Sequence, residues 1–347
     1  MDENLFSSAF TELSTRNFTV FTELDLKFSP GVNAFIGANA TGKTHILKVL
    51  YSAAAVTINR ESSFPEKLVR VFLPSGGLLG RLVHRKRGRG KATITVKRDR
   101  AQLRVSFSTL KRTSPEVTGG REWYGEKMEC AYIPVKEMLS NSLGFLSLYE
   151  KRSIHFPEVY RDILLSAMVP PLRGPMDATR KSLHGIIRKA FKGAVTMDQS
   201  GEFYHRSAEG KIEFSLLAEG HRKLGLLSLL IQNGTLSRGS ILFWDEPEAN
   251  LNPNMMGPVV ELLLELQRLG GQVFLATHSY AVLKELDLRM KKRDKVTFFS
   301  LFRNKETGDI EARATDDYLD VNPNVIGDAF MDLYDRDVEK ALGRKGK

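Results

Sequence analysis

Gly37-Ala38-Asn39-Ala40-Thr41-Gly42-Lys43-Thr44 satisfies the pattern G-x-x-x-x-G-K-[ST] at every fixed position. Its surroundings suit the pattern: Gly31-Val32-Asn33-Ala34-Phe35-Ile36 reads as a short buried strand, and His45 to Ala55 reads as a helix. Gly37 and Gly42 let the backbone turn tightly and approach an anion closely, so that successive N–H groups and the helix N-terminus face phosphates. Lys43 then reaches the β- and γ-phosphates, and Thr44 offers its hydroxyl to Mg²⁺. A nucleoside triphosphate is the expected ligand.

Working outward, the next chemical cluster is Ile241-Leu242-Phe243-Trp244-Asp245-Glu246. Four apolar residues predict a buried strand that delivers two carboxylates at its C-terminal end, next to the end of the strand before Gly37 in a parallel sheet. Asp245 is expected to hold Mg²⁺ and Glu246 to orient and deprotonate an attacking water. A further buried strand, Gly271-Gln272-Val273-Phe274-Leu275-Ala276, ends in Thr277-His278-Ser279. His278 is thereby a candidate sensor of the γ-phosphate.

Composition sets the bounds on the rest. The chain has 347 residues, 42% of them hydrophobic, enough for an ordinary core in one large α/β domain with insertions or in two smaller domains. No apolar run approaches the length of a membrane span, and Met1-Asp2-Glu3-Asn4 lacks the basic flank of a secretion signal, so a cytoplasmic protein without membrane contact is expected. The single cysteine, Cys130, reads as core filler. Net charge is +10, and residues 81–104 hold ten Lys/Arg against one acid, Asp99. That segment reads as a β-hairpin, Arg81 to Arg85 and Ala92 to Val96, with a basic tip at Gly88-Arg89-Gly90. It is either a contact for nucleic-acid phosphates or an acidic partner, or a solvated hairpin whose charges keep it soluble.

In chain order, Leu13 to Phe21 and Glu23 to Phe28 predict two antiparallel strands. The pattern from Phe64 to Phe107 is β-like with Gly-rich breaks, the polar stretch up to Gly125 reads as a loop, and Glu129 to Ile133 reads as a strand. From Val135 to about Met197 the apolar spacing becomes helical, broken at Pro170-Pro171-Leu172. Short strands resume at Phe203-Tyr204 and from Lys211 to Phe214. A strand from Val296 to Phe302, a hairpin around Glu306 to Ile310 and a helix from about Val325 to Leu342 close the chain. The expected organisation is a nucleotide-binding core from residues 1–60 and 205–347, a β-rich basic insertion at 61–134 and a helical subdomain at 135–204.

The order of Gly37 to Thr44, then Leu217-Ala218-Glu219-Gly220-His221-Arg222-Lys223 opening an apolar helix, then Asp245-Glu246-Pro247-Glu248-Ala249-Asn250-Leu251-Asn252-Pro253, then Ala276 to Ser279, resembles the ABC-type ATPases. It is most similar to their soluble branch of RecF, SMC and OLD proteins. The resemblance covers about residues 10–60 and 210–302 and implies an α/β P-loop NTPase fold, an ABC-type core carrying a β-rich lobe and an inserted helical subdomain. It implies Mg²⁺-dependent ATP hydrolysis, with nucleotide held by Gly37, Asn39, Ala40, Thr41, Gly42, Lys43, Thr44 and His45. Thr44 and Asp245 would hold the metal, and Glu246, His278 and Lys43 would act in catalysis. It also implies a dimer or larger homo-oligomer in which Gly220 of one subunit caps the γ-phosphate bound by the other, with Asn250 in the facing loop. Ala218 stands where the family carries serine, so capping would rest on backbone amides with Arg222 or Lys223, and Glu137 is the candidate at the Q-loop position. The tail after His278 is too short for the nuclease domain of OLD proteins. In this the chain resembles standalone ATPases of bacterial anti-phage systems, PtuA of Septu and the ATPase half of PARIS, which work with a separately encoded effector. The alternative is a RecF-like DNA-binding ATPase of repair or recombination; a transporter subunit fits the altered motifs least.

Overall fold

The computed structural model describes residues 9–60, 62–85, 89–110, 114–152 and 154–343. Strands β1 (Phe10–Phe18) and β2 (Phe21–Lys27) pair antiparallel, with Phe18 opposite Phe21. Both phenylalanines are buried, so the chain reverses in the two residues between them, Thr19 and Val20, earlier than the expected break after Phe21. Strand β3 (Val32–Gly37) is buried throughout and runs into helix α1 (Lys43–Ile58).

Residues 64–72, expected as strand, form helix α2 (Phe64–Phe72). The reason is local: Glu66 accepts hydrogen bonds from the N–H (2.8 Å) and hydroxyl (2.9 Å) of Ser63, a capping box, and Pro65 sits in the first turn. Phe64, Leu68 and Val71 then share one buried face.

The basic hairpin also falls elsewhere than expected. Strands β4 (Lys91–Arg98) and β5 (Ala101–Ser108) pair over their full length and reverse at Asp99-Arg100. Arg81 and Leu82 belong to a short 3₁₀ turn, and Val83 makes only a single bridge to Phe18; Gly88 lies outside the described residues. Eight alternating residues on each side of Asp99-Arg100 make a longer ladder than the five-residue alternatives, and Asp99 adopts the positive φ of 38° that the tight turn uses. β4 pairs with β1, and β6 (Glu116–Thr118) pairs with β5, so residues 91–108 and 116–118 extend the sheet begun by residues 10–27 in the order β2-β1-β4-β5-β6. Residues 119–125, expected as loop, contain the one-turn helix α3 (Gly120–Trp123), whose buried Trp123 donates from Nε1 to the carbonyl of Ala53 at 2.8 Å.

After β7 (Cys130–Ile133) come the helices α4 (Ser142–Arg152), α5 (Glu158–Met168) and α6 (Ala178–Phe191). A small antiparallel sheet of β8 (Ala194–Met197), β9 (Phe203–Ser207) and β10 (Gly210–Glu213) leads to α7 (Glu219–Gln232). The chain then alternates through β11 (Ile241–Asp245), α8 (Pro253–Arg268), β12 (Gln272–Thr277), α9 (Tyr280–Arg289), β13 (Val296–Arg303), β14 (Ile310–Thr315) and α10 (Val325–Ala341).

The main sheet has the order β14-β13-β3-β12-β11-β7, parallel except for β14. β11 is therefore not next to β3 as expected: β12 lies between them, pairing Val273 with Val32 on one side and Gln272 with Ile241 on the other. Helix α1 is sandwiched between the two sheets, which is why twelve of its sixteen residues are buried. Helices α5 to α8 cover the opposite face of the main sheet. Among the described residues no helix is long and apolar enough to cross a membrane.

Candidate functional site

The C-terminal ends of β3, β12 and β11 bring the chemical residues together. Gly42 has φ 90°, and a Cβ there would lie 2.4 Å from Cζ of Phe21, so both conformation and space require glycine. At Gly37 a Cβ would meet the carbonyl oxygen of Leu301 at 2.3 Å. Between them the loop curls around the ammonium of Lys43, which donates to the carbonyls of Gly37 (2.7 Å) and Ala38 (2.9 Å). Burial lowers the Lys43 pKa, while the carboxylates of Glu246, Asp245 and Glu248 pull it back up. Thr41 closes the loop by donating to the Ala38 carbonyl at 2.9 Å, Ala40 takes φ 64°, and Asn39 is exposed. The N–H of His45 bonds the Gly42 carbonyl at 2.9 Å, whereas those of Lys43 and Thr44, first in the helix, have no carbonyl four residues back within it and face an anion site.

Thr44 donates to Oδ1 of Asp245 at 3.0 Å, and Tyr132 on β7 donates to Oδ2 at 3.2 Å. Asp245 is buried, which pushes its pKa up, and Glu246 adds to that; the bonds from Thr44 and Tyr132 and the charge of Lys48 oppose it. A hydroxyl and a buried carboxylate side by side are hard oxygen ligands of the kind Mg²⁺ takes. Among the described residues no three or more His, Cys, Asp or Glu side chains are grouped so as to hold a metal ion.

Glu246 follows in a left-handed conformation, φ 51°, its N–H bonded to the carbonyl of Ala276 at 2.9 Å. Such a conformation is costly for a non-glycine residue and clusters at functional sites. Nδ1 of His278 lies 3.3 Å from Glu246 and 3.5 Å from Glu248. Glu248 in turn accepts from the Thr277 hydroxyl at 2.8 Å and from the His278 N–H at 2.9 Å. Sequence reasoning missed Glu248 and Tyr132 as site residues. The repeated acid in Asp245-Glu246-Pro247-Glu248 was a visible signal for the first; nothing local marked the second.

The remaining expected residues form a separate cluster. A Cβ on Gly220 would lie 2.6 Å from the carbonyl oxygen of Asn250, so the start of α7 packs against the loop after β11; Asn250 is exposed with φ 62°. Among the described residues neither makes a hydrogen bond or ion pair with residues 37–45. Arg222 and Lys223, one of which was expected to join the backbone amides in capping, are engaged within the chain: Arg222 pairs with the buried Glu137 and donates to the Leu217 carbonyl at 2.7 Å, and Lys223 donates to the Ala249 carbonyl at 2.6 Å. His45 turns away from the loop. Its Nδ1 lies 3.0 Å from the Thr19 hydroxyl, and burial lowers its pKa from the ordinary 6.5 to about 4.

Residues 132–284 match a family described as AAA domain, putative AbiEii toxin, Type IV TA system. The DNA replication and repair protein RecF of Streptococcus uberis is 38% identical over 71 residues, 20% of this chain and 19% of that protein. RecF of Lactobacillus acidophilus is 45% identical over 51 residues, 15% of this chain and 14% of that protein. The chain thus spans between 14% and 28% of the length of the curated relatives it matches. An SMC head bound to the C-winged helix domain of ScpA superposes with TM-score 0.55 at 13% identity, over 88% of this chain and 97% of that one. The Smc head with an extended coiled coil bound to the C-terminal domain of ScpA, from Pyrococcus furiosus, gives 0.53 at 12% identity, over 88% and 96%.

Proposed function

We propose that this chain, whose fold is that of the SMC heads and which is similar to RecF over a short segment, is an ABC-type ATPase of the RecF/SMC branch that hydrolyses ATP at the ends of β3, β11 and β12 and couples that cycle to a partner protein. The observation that carries the reading is the 3.0 Å bond from Thr44 to Asp245, with Glu246 next in the chain and His278 3.3 Å from Glu246. Lys43 and the amides of residues 38–44 hold the phosphates. Thr44 and Asp245 would hold Mg²⁺, which when bound would supply positive charge to the phosphates. Glu246 takes the proton of the attacking water. His278, positioned by Glu248, contacts the γ-phosphate. In a closed dimer Gly220 and Asn250 face the nucleotide of the other subunit through backbone groups, because Arg222 and Lys223 are engaged elsewhere.

The partner in this proposal is a separately encoded effector, with the ATPase as its nucleotide-controlled scaffold in bacterial anti-phage defence. The matched family's description as a toxin of a toxin–antitoxin system supports a role in such conflicts, and the SMC heads bound to ScpA domains support a head that holds another protein. A DNA-repair reading is favoured instead by the identity with RecF over the matched segment. Glu246→Gln is expected to bind ATP normally and to turn over about 10²- to 10⁴-fold more slowly, whereas Lys43→Ala loses ATP binding. Phosphate release and ATP titration check both, and wild-type turnover in either variant rejects the assignment. The Glu246→Gln assembly isolated with ATP separates the two roles: a second polypeptide supports the scaffold, and nucleic acid alone supports repair.

A further inference from the structure

The carboxylate of Asp245 is held from two sides. Alternate residues of a strand share a face, so Asp245 lies on the same face of the main sheet as Phe243. β7 pairs with β11 with Tyr132 opposite Phe243, which puts Tyr132 on that face as well, the face that packs against α1. Thr44 reaches Oδ1 of Asp245 from the helix at 3.0 Å, while the Tyr132 hydroxyl reaches Oδ2 from the neighbouring strand at 3.2 Å. Among the described residues no third donor bonds this carboxylate.

The two sides differ in rigidity. Tyr132 is 2% exposed, and its ring meets the Tyr51 ring edge-on with centroids 5.3 Å apart. Tyr51 is anchored in turn through its own hydroxyl on Asp162, at 2.7 Å. Among the described residues Asp245 is the one acceptor that the Tyr132 hydroxyl bonds, and leaving it would strand a buried donor. Thr44 is partly exposed and is itself half of the proposed ligand pair, so the Oδ1 side of the carboxylate is the open one.

Cations differ in what they ask of a carboxylate. Mg²⁺ is small and demands near-octahedral coordination, which suits a single oxygen better than the narrow bite of two from one carboxylate. Ca²⁺ is larger, accepts more ligands and takes carboxylates through one oxygen or both. We propose that Tyr132 sets the cation preference of the site: by occupying Oδ2 it limits Asp245 to one oxygen, which suits Mg²⁺ and denies Ca²⁺ a second ligand. The inference rests on the assignment of Thr44 and Asp245 to the metal made above. To that assignment it adds a positioning residue on β7, which acts through Asp245 and not on the ion.

Binding of a non-hydrolysable ATP analogue to the full chain, titrated with magnesium chloride or with calcium chloride, tests this without turnover. Wild-type protein is expected to need about tenfold less Mg²⁺ than Ca²⁺ for half-maximal binding. Tyr132→Phe keeps the ring and its packing but frees Oδ2, and should narrow that ratio about tenfold through a stronger response to Ca²⁺. Tyr51→Phe takes a buried hydroxyl from the neighbouring ring without touching Asp245 and should leave the ratio as it is. If Tyr132→Phe weakens both cations alike, the hydroxyl merely supports the carboxylate and the proposal is overturned. An unaltered ratio overturns it, and so does an equal change in Tyr51→Phe. A wild type that takes Ca²⁺ as readily as Mg²⁺ overturns it without recourse to any variant. Binding of the analogue by the wild type with no divalent cation, unaffected by Asp245→Asn, refutes the metal assignment itself and this inference with it.

Discussion

At Glu248 one carboxylate oxygen serves two donors, the Thr277 hydroxyl and the His278 N–H, and thereby fixes the backbone that presents the His278 ring to Glu246. Glu248→Ala removes that support without touching the phosphate loop. Turnover should fall roughly tenfold to a hundredfold with ATP affinity unchanged; a variant with wild-type kcat would show that His278 is held by something else. His45 makes a second residue-scale prediction. Its folded pKa is lowered to about 4 from an ordinary 6.5, so between those values the unfolded chain takes up a proton that the folded one refuses. Stability from this residue is therefore full above pH 6.5, falls as the pH drops toward 4 and is level below. The shift corresponds to roughly 3 kcal/mol at most. Urea denaturation at a series of pH values should show a flatter acid limb in His45→Gln; an unchanged limb refutes the assignment.

At the scale of elements, α2 depends on a start signal that lies outside the hydrophobic pattern. Phe64 to Phe72 has enough β-branched and aromatic residues to suggest a strand, yet Ser63, Pro65 and Glu66 specify a helix entrance. Ser63→Ala should cost about 1 kcal/mol, read from the denaturation midpoint at constant slope. No loss would mean that packing of Phe64, Leu68 and Val71 alone sets the helix. The hairpin β4–β5 carries the same lesson about charge. Of the basic residues clustered in the sequence there, Arg98 is buried against the Trp123 ring at 4.9 Å, Lys97 pairs with Glu12 at 2.7 Å, and Lys91 pairs with Glu116 at 3.0 Å. Acids from distant segments neutralise part of what looks like an uninterrupted basic run.

Across the whole molecule, a buried polar knot joins α1, α2 and α5. Lys67 meets Asp162 at 2.5 Å and Glu158 at 3.1 Å, Tyr51 donates to Asp162 at 2.7 Å, and Arg70 reaches Glu158 at 2.9 Å. This ties the helical segment to the helix that carries the phosphate loop. Asp162→Ala leaves the Lys67 ammonium buried with half its compensation, and a loss of about 3 kcal/mol is expected. Equilibrium unfolding measures it, and a loss within about 0.5 kcal/mol would mean that water replaces the carboxylate.

The sequence by itself determined the parts of this protein whose chemistry is local. The glycines, Lys43 and Thr44 work through the backbone of one short loop, and the apolar runs before Asp245 and Thr277, short and bounded by polar residues, read as buried strands and are. Only the tertiary structure decided what those parts meet. That β12 separates β3 from β11, that Tyr132 completes the bonding of Asp245, and that Arg222 and Lys223 are engaged inside the chain all depend on contacts between residues far apart in sequence. Strand order and side-chain pairing arise from how whole faces pack. The stretch of sequence on either side of a residue carries no record of the surface that will arrive against it.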